Sequence, residues 1–413
     1  MSAMRLPEFP ADRPPTEAAA EARFVRSLFL GALVCRLLLS LVLAATDMRY
    51  YFAWDAYRYD QLGLQLARHW SGEVAWVSPE LTWFTHPQSH YRGFLYLLAA
   101  LYYLLGHSPL IAQSVICLAG AYTAVVVYKL TATLYGSNAA RHAALLTAYF
   151  PSLILWSSHL LRDPLIVLLI ALTIYHFVRL TDAFRLQDLA FFVASLLCLH
   201  PMRSYVFYIM AASSLTWFAV ASRGNVLRGL LVQIGAVAAF VALFAAFGWD
   251  SVLRSHFEQD ILEQLQVTRS DLAMSGESGF ARDLDVSTPM GAFRALPIGL
   301  TYLLLAPFPW HMLNFRQLMT LPEMLVWWAL IPTMLVGLRH AVRKNFRQAL
   351  PILSFLVGLS LMYALFQGNL GTAYRQRSQL LVLFFVFAGA GLALRRERRE
   401  QAAVLSPLAG ETT

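Results

Sequence analysis

What most constrains this chain is the recurrence of apolar runs, at 24–45, 109–134, 143–160, 165–180, 189–199, 205–220, 230–247, 324–337, 350–366 and 380–394, with the charged residues gathered between them. A helix rises about 1.5 Å per residue and the hydrocarbon core of a bilayer is about 30 Å thick, so the longer runs have the length to cross it. In hydrocarbon an unpaired backbone N–H or C=O costs several kcal/mol, which leaves helices or a closed barrel, and nothing here alternates like a barrel strand. Composition agrees: 58% of residues are hydrophobic and 14% charged, where soluble domains carry about 25% charged residues. The sequence predicts an all-α, polytopic integral membrane protein, a bundle of about 10–11 transmembrane helices.

A net charge of +8 in a soluble protein would suggest nucleic acid. Here the basic residues sit at the ends of apolar runs, as membrane orientation requires, so nucleic acid is not expected as a partner. Residues 1–23 form a polar leader with Arg5, Arg13, Arg23 and Arg26, read as cytoplasmic and followed by an uncleaved anchor. The membrane domain runs from 24 to 395, and Arg395, Arg396, Arg398 and Arg399 anchor a cytoplasmic tail, 396–413, expected to be disordered after Gln401. The expected site is a membrane crossed many times, with both termini on its cytoplasmic side. Cys35, Cys117 and Cys198 fall inside apolar runs and read as small core residues.

Basic clusters at Arg141, Arg185, Arg343 and Arg395 set the inner face and leave two large external loops, 47–108 and 249–296. Within the first, 56–70 mixes apolar and charged residues as an interfacial helix does, and 91–106 reads as a second. The run 143–160 is expected to climb unbroken to the turn Arg162-Asp163-Pro164. A helical hairpin breaks at His200-Pro201-Met202-Arg203. Charge parity makes 297–310 re-entrant or interfacial, ended by Pro307 and Pro309.

This topology brings four polar sets to the external face: Asp55 to Asp60, His86 to Arg92, Arg162-Asp163, and Asn369 to Arg377. Arg162, Arg203, Arg375 and Arg377 lie where the orientation rule disfavours basic residues, and an anionic substrate is one reason for them to be there. Guanidinium forks hold phosphate oxygens, and a lipid phosphate at the outer headgroup level is within reach. Asp55 is the candidate catalytic base, with Asp163 as a second catalytic carboxylate. Tyr59, Asp60, His86, His90, Arg162, Arg203, Asn369, Tyr374, Arg375 and Arg377 are candidate substrate-binding residues. Each has a plainer reading. Asp55 would pair with Arg58, Arg162-Asp163 would simply open a helix, and the arginines at 375 and 377 would snorkel to lipid headgroups. His86 and His90 are four apart, but Pro87 argues against a helical metal pair. No metal ligands are assigned; the carboxylates leave room for a divalent metal, and no other cofactor is indicated.

The order of these features resembles the GT-C superfamily of polyprenyl-phosphate-sugar glycosyltransferases, particularly bacterial relatives of protein O-mannosyltransferases and aminoarabinose transferases. Their first external loop has an Asp four residues before a Tyr and later a Gly, matched by Asp55, Tyr59 and Gly72. A His-Pro leading into a juxtamembrane helix is similar to His86-Pro87 and 91–106. A basic Leu-Tyr-Gly turn is matched at Leu134-Tyr135-Gly136, and an acidic residue before Pro at Asp163-Pro164, after Pro151. The likeness spans residues 20–185. Ala56 stands where the family often has Glu, His86-Pro87-Gln88 replaces His-Pro-Pro, and the large soluble C-terminal domain of many members is not expected. The resemblance implies a GT-C-like bundle with interfacial helices in its first external loop, and inverting sugar transfer from a polyprenyl-phosphate donor to a lipid, glycan or protein acceptor, amid membrane lipids, in cell-envelope or exopolysaccharide assembly. Two other classes share these features. A polysaccharide polymerase or ligase would use the same external arginines. A lipid-linked-saccharide flippase or transporter would line a passage with them, but needs polar groups near the midplane, where the sequence shows few.

Overall fold

The computed structural model describes residues 15–87, 89–221, 261–274, 278–311 and 315–410. Among them the fold is helical, and the β pairing is confined to an isolated bridge between Gly279 and Asn369. The helices are α1 (Pro15–Ala45), α2 (Trp54–Trp70), α3 (Pro79–Thr85), α4 (Arg92–Leu105), α5 (Pro109–Tyr149), α6 (Pro151–Ser157), α7 (Asp163–Asp182), α8 (Leu186–Met202) and α9 (Ser204–Ala221). After the undescribed stretch come α10 (Ile261–Met274), α11 (Pro289–Leu305), α12 (Leu321–Lys344), α13 (Phe346–Phe366), α14 (Leu370–Gln376) and α15 (Ser378–Gly410). Six of the described helices, α1, α5, α7, α12, α13 and α15, are long and apolar enough to cross a membrane, and α4, α8 and α11 are shorter apolar helices. The expected span at 230–247 and part of the second external loop lie outside the described residues.

The 41 residues of α5 would extend about 60 Å if straight. They fold back instead at Gly136, whose φ of 82° is open to glycine and costly to other residues. Arg36 proves the reversal. It lies against Gly120 on the first arm and donates to the carbonyl of Ala148, near the end of the second, at 2.8 Å. Ala140, Ala144 and Ala148 recur every four residues on the second arm and pack with Leu28 and Ala32 of α1, small side chains that let helices approach closely. The same device joins α12 to α15: a Cβ on Gly337 would stand 1.9 Å from the Phe387 carbonyl, and one on Gly391 1.9 Å from that of Thr333.

The run 143–160 does not climb unbroken. Proline at 151 has no N–H to give the preceding turn, so α5 ends and α6 starts there. The groups freed by this break are sealed by two charged side chains far away in sequence. Arg36 donates to the carbonyls of Ala148 (2.8 Å) and Thr147 (3.5 Å), while Glu323 accepts from the backbone N–H of Ser152 at 2.6 Å. A cation on a helix C-terminus and a carboxylate on a helix N-terminus each oppose the local dipole, and backbone inside a membrane must be satisfied by protein. Two other expectations shift. The segment expected at 297–310 forms a helix that begins eight residues earlier, at Pro289, and meets the last turn of α13, Gly299 against Ala364. The last helix continues past Gln401 to Gly410, where a disordered tail was expected.

The two ends of the bundle differ. Asn345, before α13, donates to the carbonyl of Leu134 at 3.2 Å, so it shares one end with the Gly136 turn. The far end of α13 leads into Gln367, α14 and the charged residues described next.

Candidate active site

Four charged side chains from four separate stretches form a ladder at this second end. Asp55 lies in the first turn of α2, where the helix N-terminus favours a carboxylate, and its side chain is 46% exposed. Arg375 of α14 donates from Nη1 to Asp55 Oδ2 at 2.8 Å, and its Nε stands 3.4 Å from Oδ2 of Asp163. Asp163 opens α7 ahead of Pro164 and is 1% exposed. Its other oxygen lies 3.0 Å from Nη2 of Arg203, in the α8–α9 break. Arg203 donates in turn to the Tyr363 hydroxyl at 3.4 Å, and Tyr363 to Gln379 at 2.8 Å. Burial works against the charge of Arg375, but Asp163 and then Asp55 outweigh it and hold its pKa above the ordinary guanidinium value. The plainer pairing of Asp55 with Arg58 does not form, because Arg58 pairs with Glu80.

Arg162 borders the ladder. Its guanidinium lies 3.8 Å from the ring centre of Tyr91 and donates to the carbonyls of His90 (2.7 Å) and Met202 (3.1 Å). Tyr59 is buried against Tyr91 and Phe94, and burial, only partly countered by Arg162, pushes its hydroxyl pKa up. Burial, with Arg162 and Arg203 nearby, lowers His90 to about 3, so its imidazole is neutral at physiological pH.

The remaining sequence candidates are elsewhere or otherwise engaged. Arg377 does not join Arg375 in a two-arginine clamp. It is 1% exposed, donates to the carbonyls of Ala306 (2.7 Å) and Leu304 (3.3 Å), and meets the sulfur of Met324. Tyr374 is half-buried beside Glu323 and Arg377. Asn369 caps α14, accepting from the N–H groups of Gly371 and Thr372 and from the Ser278 hydroxyl. Asp60 belongs to a separate cluster, accepting from Tyr102 (2.7 Å) and Tyr50 (3.1 Å), with His107 at 3.0 Å. His86 is an exposed residue closing α3. Sequence reasoning missed Tyr363, inside an apolar run, and Glu323 and Gln379, each in the first turn of an apolar helix; none carries a local motif. The one available signal was a polar residue within or at the edge of a membrane run.

Three guanidiniums, at 162, 203 and 375, face two carboxylates, at 55 and 163. That balance suits an anion better than a divalent cation, since both oxygens of Asp163 already meet arginine. Among the described residues no three His, Cys, Asp or Glu side chains converge as metal ligands. Chemically, the group offers one partly exposed carboxylate to take a proton, beside one guanidinium held by a buried partner.

Residues 89–249 match the family model described as dolichyl-phosphate-mannose-protein mannosyltransferase. The segment holds His90, Arg162, Asp163 and Arg203 but not Asp55. No curated protein matches the sequence. Among solved structures, ArnT from Cupriavidus metallidurans bound to undecaprenyl phosphate superposes with a TM-score of 0.55 at 16% identity, covering 93% of this chain and 63% of that one. Archaeal oligosaccharyltransferase AglB from Archaeoglobus fulgidus, in complex with an inhibitory peptide and a dolichol-phosphate, gives 0.51 at 13% identity, covering 92% of this chain and 52% of that one. The chain therefore spans less than two thirds of either neighbour. The fold is that of these two structures, and the likeness extends well beyond residues 20–185. With its apolar helices, this makes the chain a multi-pass integral membrane protein.

Proposed function

We propose that this protein is a membrane glycosyltransferase that moves a sugar from a polyprenyl-phosphate donor to an acceptor hydroxyl or amine at the external face of the membrane. The reading rests on one observation: the half-exposed carboxylate of Asp55 is held by an arginine whose other side is pinned to a buried carboxylate. Lipid phosphates bound to both structural neighbours fit the same reading.

In the resting site Asp55 and Arg375 neutralise each other. A donor phosphate competes for Arg375 and leaves Asp55 free to act as a base. The acceptor oxygen or nitrogen then attacks the anomeric carbon from the face opposite the phosphate, and its proton passes to Asp55. The bond from that carbon to the phosphate oxygen breaks, its electron pair staying on the polyprenyl phosphate. Arg375, preorganised by Asp163, stabilises the charge as it develops. The acceptor is a lipid, polysaccharide or protein, and the setting is cell-envelope assembly in a bacterial inner membrane with both termini cytoplasmic.

The test is Asp55→Asn in the purified full chain with polyprenyl-phosphate sugars. An amide keeps the shape but takes no proton, so turnover should fall about 100- to 10,000-fold while donor binding is retained. Near wild-type turnover would remove Asp55 from the chemistry.

A further inference from the structure

Beside Pro164 and Ser378 lies a cavity of about 20 Å³ lined by residues of α1, both arms of α5, α6, α7 and α15. Its lining includes Arg36, Thr123, Thr147, Trp156, Ser157 and Ser378. A water needs about 10–15 Å³ on this measure, so the space holds one small particle and is too small for a sugar or a phosphate.

The polar groups around it are unevenly matched. Ser378 is 2% exposed and Trp156 9%, and among the described residues neither the Ser378 hydroxyl nor the Trp156 indole N–H has a hydrogen-bond partner. Arg36 is 1% exposed. Its Nε donates to the Ser157 hydroxyl at 2.8 Å and its Nη1 to two carbonyls, but its Nη2 has one long contact, 3.5 Å, to the Thr147 carbonyl. Three donors on three helices are thus under-used. Charge adds a stronger constraint. Among the described residues, no acidic residue lines the cavity and no carboxylate pairs with Arg36. The C-terminal dipole of α5 offsets only about half a charge. An uncompensated cation inside a bilayer is costly, and a neutral water would leave the remaining charge in place.

We infer that this cavity is a binding site for a monatomic anion of halide size, held by Arg36 Nη2, the Trp156 N–H and the Ser378 hydroxyl. The site is independent of the transfer reaction proposed above, since it involves neither Asp55 nor Arg375. Its lining includes Pro164 and Ser378, sequence neighbours of Asp163 and Arg377, so the anion would add negative charge close to those buried groups.

The experiment uses the full chain purified in detergent, with its thermal unfolding midpoint measured in sodium chloride, bromide or gluconate at equal ionic strength. Chloride and bromide should raise the midpoint saturably over gluconate, because a ligand that binds only the native state stabilises it by mass action. Ser378→Ala and Trp156→Phe each delete one donor and should weaken halide affinity about fivefold, the equivalent of one hydrogen bond, while folding in gluconate. Arg36→Gln, if it folds, should lose the response. Equal midpoints in all three salts would overturn the site and leave the cavity to water. A halide response of unchanged affinity in both single variants would also overturn it, as a general salt effect.

Discussion

Arg375 links two carboxylates that lie 108 residues apart in the chain: its Nη1 is 2.8 Å from Asp55 and its Nε 3.4 Å from Asp163. The two acids differ in burial, 46% against 2% side-chain exposure, and this difference assigns their parts. On the proposed mechanism the exposed acid exchanges a proton with the substrate. The buried one holds the arginine in place.

Asp163→Asn should be strongly destabilising, because it leaves Arg203 buried without its counter-charge and strips Arg375 of one anchor. Breaking a buried pair from one side costs roughly 3–5 kcal/mol. Combining it with Arg203→Met should recover part of the loss in unfolding measurements. A single variant as stable as wild type would mean that the ladder does not hold the fold.

Lysine substitution should separate the two neighbouring arginines. Arg375→Lys keeps charge but loses the planar fork, and donor phosphate affinity should fall about 10-fold, the worth of one charged hydrogen bond. Arg377→Lys should instead lower the unfolding temperature, since its guanidinium ties Leu304, Ala306 and Met324 together, and leave donor affinity alone. A reversed pattern would move the phosphate site to Arg377.

His90 should make the segment between α3 and α4 acid-sensitive. Its folded pKa is about 3, against about 6.5 unfolded. Between these values the unfolded chain binds the proton and the native chain does not. Its stabilising share is therefore fully present above about pH 6.5 and is lost as pH falls toward 3. Unfolding midpoints from pH 7 down to pH 5 should decline, and His90→Gln should flatten the decline. The same slope in the variant would place the acid sensitivity elsewhere.

Cysteine labelling tests the orientation. In a background with Cys35, Cys117 and Cys198 replaced, a cysteine at Glu73 should react with an impermeant reagent from outside intact cells, and one at Arg398 only after permeabilisation. Protection of position 73 until permeabilisation would invert the topology and move the site to the cytoplasmic face.

The sequence by itself determined the solvent, the helices and many of their ends. Apolar runs long enough for a bilayer left no other architecture, and Gly136, Pro164 and Arg203 marked where the chain turns or breaks, whereas the break at Pro151 emerged only in the structure. It also brought Asp55, Arg162, Asp163, Arg203 and Arg375 to one end, because basic clusters had to occupy the other. Tertiary structure decided which of these groups meet. Arg375 and Arg377 look like a two-pronged clamp in sequence, but Asn369 caps a helical turn there, and residues two apart on a helix point to nearly opposite sides. One arginine therefore reaches Asp55 and the other is buried among carbonyls. Glu323 and Arg36 carried no local signal of their task either. Their partners are backbone groups freed by Pro151, and Glu323 lies more than 170 residues from that break, so only packing could bring a carboxylate to one side of it and a guanidinium to the other.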